Sequence, residues 1–413
     1  MPSPWFPPLR LSILAAVAAL IALVMLGRGS QGPGPAASAQ IARADQLIAA
    51  GQFDAAEPLL ARIAGNSDPK ARLWAYQAWA QILGPRRGDF AGFMDKEGRA
   101  LRLDPDSAAI HLGLYQGETV LGHDGAAVAH LDEAARSAFR LGPLRLGAAW
   151  MTPHGMRALL DRSRGDYAGA ARQDAASLAA DPPGSASARA DRLNRIGDLI
   201  LAHEPADDPP APQGDAAHGV EAVLGARDRA YAAMAREDWT GAAAALQGLE
   251  AAPLSASMRH SLAVLTRPWL AYALFRSGQT AAARAQIADT PADCYLCQRV
   301  RGRLAAEAGD AAAERAFAAA VVLAPDLPFA YVERGRARLA RGDVAGALAD
   351  CALAKARSPN FADAPELCGE AWLRRGDPAA AARAFSLAGR LAPHWGRNHM
   401  LWAVAVRGSG GKG

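Results

Sequence analysis

Three prolines, Pro325, Pro359 and Pro393, recur at a spacing of 34 residues, and each closes a block with the same internal layout. The block 328–361 carries Tyr331 and Gly335 in a first helical stretch, Gly342-Asp343 at a turn, then Ala347, Cys351 and Ala354 ahead of Pro359. The next block repeats this with Gly369, Trp372, Gly376-Asp377, Ala381, Phe385, Ala388 and Pro393. Glycine and alanine fall where two antiparallel helices must approach closely, and larger residues fill the space between them. Proline then stops the second helix, because it lacks an amide hydrogen and clashes with the preceding turn. Such helix pairs stack one on another, each touching only its neighbours. A length of 413 residues therefore sets the number of repeats, not the size of one core.

The same turn signal, a glycine followed by a polar residue and an aromatic, can be followed upstream. It occurs at Gly51-Gln52-Phe53, Gly88-Asp89-Phe90 and Gly165-Asp166-Tyr167, with a weaker version near Gly122-His123-Asp124. Each is followed by apolar residues three and four apart, the spacing of one helix face. The stretch Ser185–Ala202 reads as one helix without an obvious partner, and His203–Gly214, with four prolines and three acidic residues, reads as a linker. It suggests two sub-arrays whose relative angle varies. The block ending at Pro325 has its Gly309-Asp310 turn one place late, which predicts a shortened second helix. The final helix, near Gly396–Val406, reads as a cap, although Met400, Leu401, Trp402, Val404 and Val406 make it unusually apolar. The expected organisation is an amino-terminal anchor and tether over 1–36, divergent helical repeats over 37–203, a linker over 204–214, a second array with its cap over 215–407, and a tail over 408–413.

From Leu11 to Leu26 the chain is apolar apart from Ser12, with Arg10 before it and Arg28 after it. Its Leu, Ile and Val residues together favour insertion into a bilayer by about 3 to 5 kcal/mol. Sixteen residues of helix span about 24 Å of a hydrocarbon core of ~30 Å, so an anchor extends to Leu9 and Gly27, with Arg10 snorkelling to the headgroups. The Gly-, Pro-, Ser- and Ala-rich segment Gly27–Ser38 then reads as a flexible tether. A cleaved secretory signal is the second reading, because Ala37-Ser38-Ala39 fits the small-x-small pattern of a signal peptidase site. Both readings place the repeats beyond the membrane. Arg10 and Arg28 nearly balance, so a cytoplasmic repeat domain behind the same anchor stays open. The net charge of +4 over the whole chain, despite a pI near 9.0, falls far short of the basic stripe that nucleic-acid binding requires.

The repeated residues resemble those of tetratricopeptide repeat proteins, strongly over 292–393 and weakly over most of 37–290. The resemblance implies an all-α solenoid, a right-handed superhelix in which the first helix of each pair lines a concave face that binds extended or helical peptides. It names a fold and no single function. In layout the chain is similar to bacterial envelope proteins with one amino-terminal anchor and periplasmic repeats, including assembly factors. The expected role is a single-pass inner-membrane scaffold for protein–protein interaction, or a soluble periplasmic one after cleavage. The pattern of a chaperone-binding carboxylate clamp is missing, since Asp363, Glu366 and Glu370 occupy the corresponding places.

In a helix of this kind places five and nine face the groove, which singles out Arg299, Arg303 and Arg336 as candidates to hold an acidic segment or a terminal carboxylate. Ordinary solvated helix faces are the bland alternative. The only cysteines are Cys294, Cys297, Cys351 and Cys368. An even count in an exported chain suggests disulfides. Cys351 and Cys368 belong to helices that pack together in this fold, and closing a loop of that size is worth about 3 kcal/mol in the chain-entropy view. Small buried core thiols are the alternative for both pairs. Cys294-x-x-Cys297 also admits a rival role, a thiol-linked factor that handles cysteine-containing clients; Gln298 stands where haem attachment needs histidine. No His-Glu-x-x-His, Gly-x-Ser-x-Gly, phosphate-loop or dinucleotide motif occurs, so the expectation is a binding protein with other proteins as partners, no cofactor and no enzymatic activity.

Overall fold

A computed structural model describes residues 35–141, 144–146, 149–209, 220–250 and 262–410. The apolar run Leu11–Leu26 and part of the expected linker lie outside these. Among the described residues no helix is long and apolar enough to cross a membrane.

The helices, in chain order, are α1 (Pro35–Ala49), α2 (Phe53–Ala64), α3 (Pro69–Gln81), α4 (Phe90–Leu101), α5 (Ala108–Leu121), α6 (Asp124–Leu141), α7 (Pro153–Ser163), α8 (Tyr167–Ala180) and α9 (Ala186–Leu201). After the linker come α10 (Val220–Ala235), α11 (Trp239–Glu250), α12 (Arg267–Arg276), α13 (Thr280–Ala288), α14 (Tyr295–Glu307), α15 (Ala312–Leu323) and α16 (Phe329–Ala340). The chain closes with α17 (Val344–Arg357), α18 (Asp363–Arg375), α19 (Pro378–Leu391) and α20 (Gly396–Gly408). Consecutive helices pack on each other, and the first helices of successive pairs, α14, α16 and α18, touch as well. The result is an α-helical solenoid of stacked antiparallel helix pairs.

The Gly-Asp turns have a local cause. Gly342 and Gly376 adopt φ of 87° and 84°, a left-handed conformation that glycine enters without steric cost. The following Asp343 and Asp377 accept a hydrogen bond from the backbone N–H of Gly346 and Ala380, satisfying a free amide at the start of the next helix. Close approach is equally specific. A Cβ on Gly369 would lie 2.5 Å from the Phe385 ring, so only glycine lets α18 and α19 meet there.

Several sequence expectations are corrected. Helix α1 begins at Pro35 and buries Ala37, so the segment expected to be a tether up to Ser38 is already part of the array. Helix α15 is short, as the late Gly309-Asp310 turn predicts, but by two residues and not one, 12 against 14 in α17 and α19. An all-α fold acquires one antiparallel hairpin, β1 (Leu144–Leu146) with β2 (Ala149–Met151), pairing Arg145 with Trp150. It occupies the connection between α6 and α7, where Gly142-Pro143 in the sequence cannot extend a helix. Helix α9 is not unpartnered; it packs between α8 and α10 and is capped by Ser185, whose hydroxyl accepts from the Ala188 N–H.

The largest correction concerns the two sub-arrays. One hydrophobic core runs from Leu112 on α5 to Ala371 on α18 without a break at the linker. Turns of the first array sit on the starts of the first helices of the second. The Tyr295 N–H donates to the Gly122 carbonyl at 2.9 Å. Tyr167 stacks with Phe329 and meets Phe361 edge-on, at ring separations of 6.4 and 6.2 Å. Asn360 donates to Asp166 at 2.7 Å, and the His203 ring approaches Asp363 at 3.5 Å. A small separate core, from Ala37 to Ile82, holds α1 to α3 together.

Candidate protein-binding groove

The first helices of the carboxyl-terminal pairs in the second array are α14, α16 and α18. The candidate arginines and their neighbours lie on these first helices: Arg299 and Arg303 on α14, Val332 and Arg336 on α16, and Glu366 and Glu370 on α18. The expectation that the three arginines are exposed is corrected, because their relative exposures are 2%, 0% and 5%. Each is committed within the chain. Arg299 donates through two nitrogens to Glu333, at 2.9 and 2.5 Å, and lies 4.9 Å over the Phe329 ring. Burial by itself works against the charged Arg299, but the Glu333 carboxylate more than offsets it and holds the guanidinium above its ordinary pKa. Arg303 lies 4.1 Å over the Tyr272 ring and within 3.9 Å of Glu333. Arg336 donates to Asp363 and Glu366 at 2.9 and 3.1 Å. Burial raises the Asp363 pKa, yet Arg336 and His203 together bring it below the usual carboxylate value.

Two things fill this part of the groove. Cations on one first helix pair with carboxylates on the next, and the turns bearing Tyr167 and His203 close over them from the first array. The sequence signal for the first was present. Arg299 and Glu333 stand 34 residues apart and so occupy equal places in adjacent repeats, whereas the partners of Arg336, Asp363 and Glu366, stand 27 and 30 residues away, off the repeat. A comparable buried network escaped sequence reading altogether: Arg162 on α7 bridges Asp174 on α8 and Asp198 on α9 at 2.7 and 2.6 Å.

The groove opens at its carboxyl-terminal end. A cavity of about 330 Å³ lies between α16, α18 and α20, lined by Arg336, Leu339, Ala340, Glu370, Leu373, Arg374 and Leu401. Its walls are aliphatic and its ends are charged. Arg336 forms the floor and exposed Arg374 the rim. Arg397 reaches across to Glu366 and Glu370, which neutralises the carboxylates on that side. Of α20 only Leu401 lines the cavity, while Met400 and Val404 are exposed.

The four cysteines form two bridges, Cys294–Cys297 at the start of α14 and Cys351–Cys368 between α17 and α18. Cys294 and Cys297 are fully buried, and Cys294 packs against Gly122 of the first array. In this state they present no thiolate to a client.

No family model matches the chain, and no curated protein matches it. Similar solved structures include yeast Tom70, at 12% identity and a TM-score of 0.40, covering 90% of this chain and 95% of that one. A second is the Cut9–Hcn1 hetero-tetramer of the APC/C, at 13% identity and a TM-score of 0.34, covering 96% of this chain and 100% of that one. A third is the TPR2AB domain of yeast Sti1 in its complex with pHSP90, at 15% identity and a TM-score of 0.27, covering 81% of this chain and 98% of that one.

Proposed function

We propose that this protein is a membrane-tethered scaffold that holds a polypeptide segment in the open carboxyl-terminal end of its groove, on the far side of the inner membrane, in the service of cell-envelope assembly. The observation that carries the reading is the cavity between α16, α18 and α20: apolar walls at Leu339, Leu373 and Leu401, flanked by Arg336 and Arg374. Such a site suits a segment with one or two aliphatic side chains and a carboxylate within reach of Arg374, joined by charge-assisted hydrogen bonds. The apolar run Leu11–Leu26 supplies the tether. The buried, bridged cysteines favour a scaffold over a thiol-exchange factor, which needs a reachable thiolate.

Photocrosslinking in intact cells tests this directly. A photoreactive residue at Arg374 or Leu401 should capture a partner polypeptide, whereas one at Val322, which is 80% exposed on α15, should not. Equal capture at all three positions overturns the groove reading. A reporter active only outside the cytoplasm, fused after Gly413, should be active; activity of a cytoplasmic reporter instead overturns the topology.

A further inference from the structure

Helix α20 is held rigidly on one side only. Asn398 is buried and donates to the Phe385 carbonyl at 3.0 Å, and Ala405 is buried beside it. The opposite side carries Met400, Trp402, Val404 and Val406, exposed by 58, 42, 53 and 40%. The i, i+4 pairs 400/404 and 402/406 frame one broad face, with Ala403 and Arg407 between them. An exposed apolar face of this width on a fixed helix marks an interaction surface.

Charge selects the occupant. From Pro378 to Gly413 the chain has Arg383, Arg390, Arg397, Arg407 and Lys412 and no Asp or Glu at all. Since the whole chain nets +4, everything before Pro378 nets −1, so the excess positive charge is confined to the last two helices and the tail. Arg397 turns inward to Glu366 and Glu370, but Arg383, Arg390 and Arg407 are exposed. Aliphatic residues and a tryptophan on a carboxylate-free, cationic helical surface are what an anionic bilayer surface attracts: the side chains enter the headgroup region and the cations answer the lipid phosphates. Tryptophan suits that depth because its ring is apolar and its N–H is polar.

We propose that the outward face of α20 rests on an anionic bilayer surface, with Met400, Trp402, Val404 and Val406 in the headgroup layer and Arg383, Arg390 and Arg407 supplying the attraction. This rests on the tethered reading above, in which the array stays close to a membrane. It adds a second, reversible contact that turns the open groove end toward the lipid surface.

The test uses the full chain reconstituted into vesicles of phosphatidylcholine alone or mixed with phosphatidylglycerol. The readout is quenching of tryptophan emission by brominated lipid, taken as the parent minus Trp402→Phe. A Trp402 contribution should appear with phosphatidylglycerol, vanish in neutral vesicles and in high salt, and be lost when Arg383, Arg390 and Arg407 are all replaced by glutamine. Absence of a Trp402 contribution, or one indifferent to lipid charge and salt, overturns the proposal. So does a dimer in nanodiscs that Val404→Glu dissociates, because a second copy would then cover the face. Retention on vesicles after a high-salt wash reads the amino-terminal tether separately. Loss of retention with Trp402 quenching intact would sink the tether alone, and retention without quenching would sink the α20 contact alone.

Discussion

The imidazole of His203 lies flat on the indole of Trp395, ring centroids 3.7 Å apart and planes within 4°. The first residue belongs to the end of the first array and the second to the last turn of the second, so this stack and the neighbouring His394–Glu204 pair tie the two together. His203 adopts a φ of 60°, an uncommon conformation for a residue with a Cβ, and it places the ring on both Trp395 and Asp363. Removing it should loosen the seam without touching either array's helices.

His203→Ala should therefore lower the unfolding free energy by about 1–2 kcal/mol, the aromatic pair contributing ~0.5–1.5 of it. Native-state amide exchange should speed up around Trp395 and Asn398. Unchanged exchange there would mean that the arrays are held by other contacts.

The seam also separates two costs that glycine substitutions usually mix. Gly122 and Gly376 both have φ of 84°, but a Cβ on Gly122 would lie 2.7 Å from Cys294 Cβ and 2.9 Å from its Cα, whereas one on Gly376 meets nothing. Gly376→Ala should cost only the backbone strain, about 1 kcal/mol. Gly122→Ala should cost ~1–3 kcal/mol more through overpacking. Equal urea midpoints for the two variants would argue that the seam opens freely in solution.

What could be read from the chain alone was whatever has a local or periodic cause. Gly342-Asp343 and Gly376-Asp377 announce turns because each residue has its own reason to be there, one conformational and one a cap. The seam has neither. His203 and Asp363 meet across 160 residues, and the aromatic trio Tyr167, Phe329 and Phe361 joins two different arrays, so no spacing encodes them. The burial of Arg299, Arg303 and Arg336 follows from that seam. Repeat position singles them out, but whether they are open to a ligand depends on long-range packing. Only the Arg299–Glu333 pair was legible, in its 34-residue offset.

Breaking a buried pair should show this burial directly. Arg299→Gln leaves Glu333, which is 5% exposed, without its bidentate partner. Removing the hydrogen-bonded partner of a buried carboxylate, with only Arg303 remaining at 3.9 Å, costs about 3–5 kcal/mol. Arg374→Gln, at the exposed rim, should change stability by less than ~1 kcal/mol. If thermal unfolding does not distinguish the two variants, Arg299 is solvated and the closed part of the groove is open.

Glu97 on α4 gives the array a pH dependence of its own. Its carboxyl is 3% exposed, faces Gly113 on α5, and burial pushes its pKa from 4.5 up to about 8. A carboxylic acid whose folded-state pKa is raised is held protonated by folding. Its contribution is complete below pH 4.5 and is lost as pH climbs through about 8, because the unfolded chain releases the proton first. Across that window the loss amounts to a few kcal/mol, on the order of 1.4 per unit of pKa difference. Glu97→Gln keeps the shape and removes the titration, so it should leave stability unchanged at pH 4 and raise it at pH 9. Urea unfolding of parent and variant at both pH values measures the difference. A constant gap between them would mean that the Glu97 carboxylate is ionised in the folded protein and that α4 and α5 admit water.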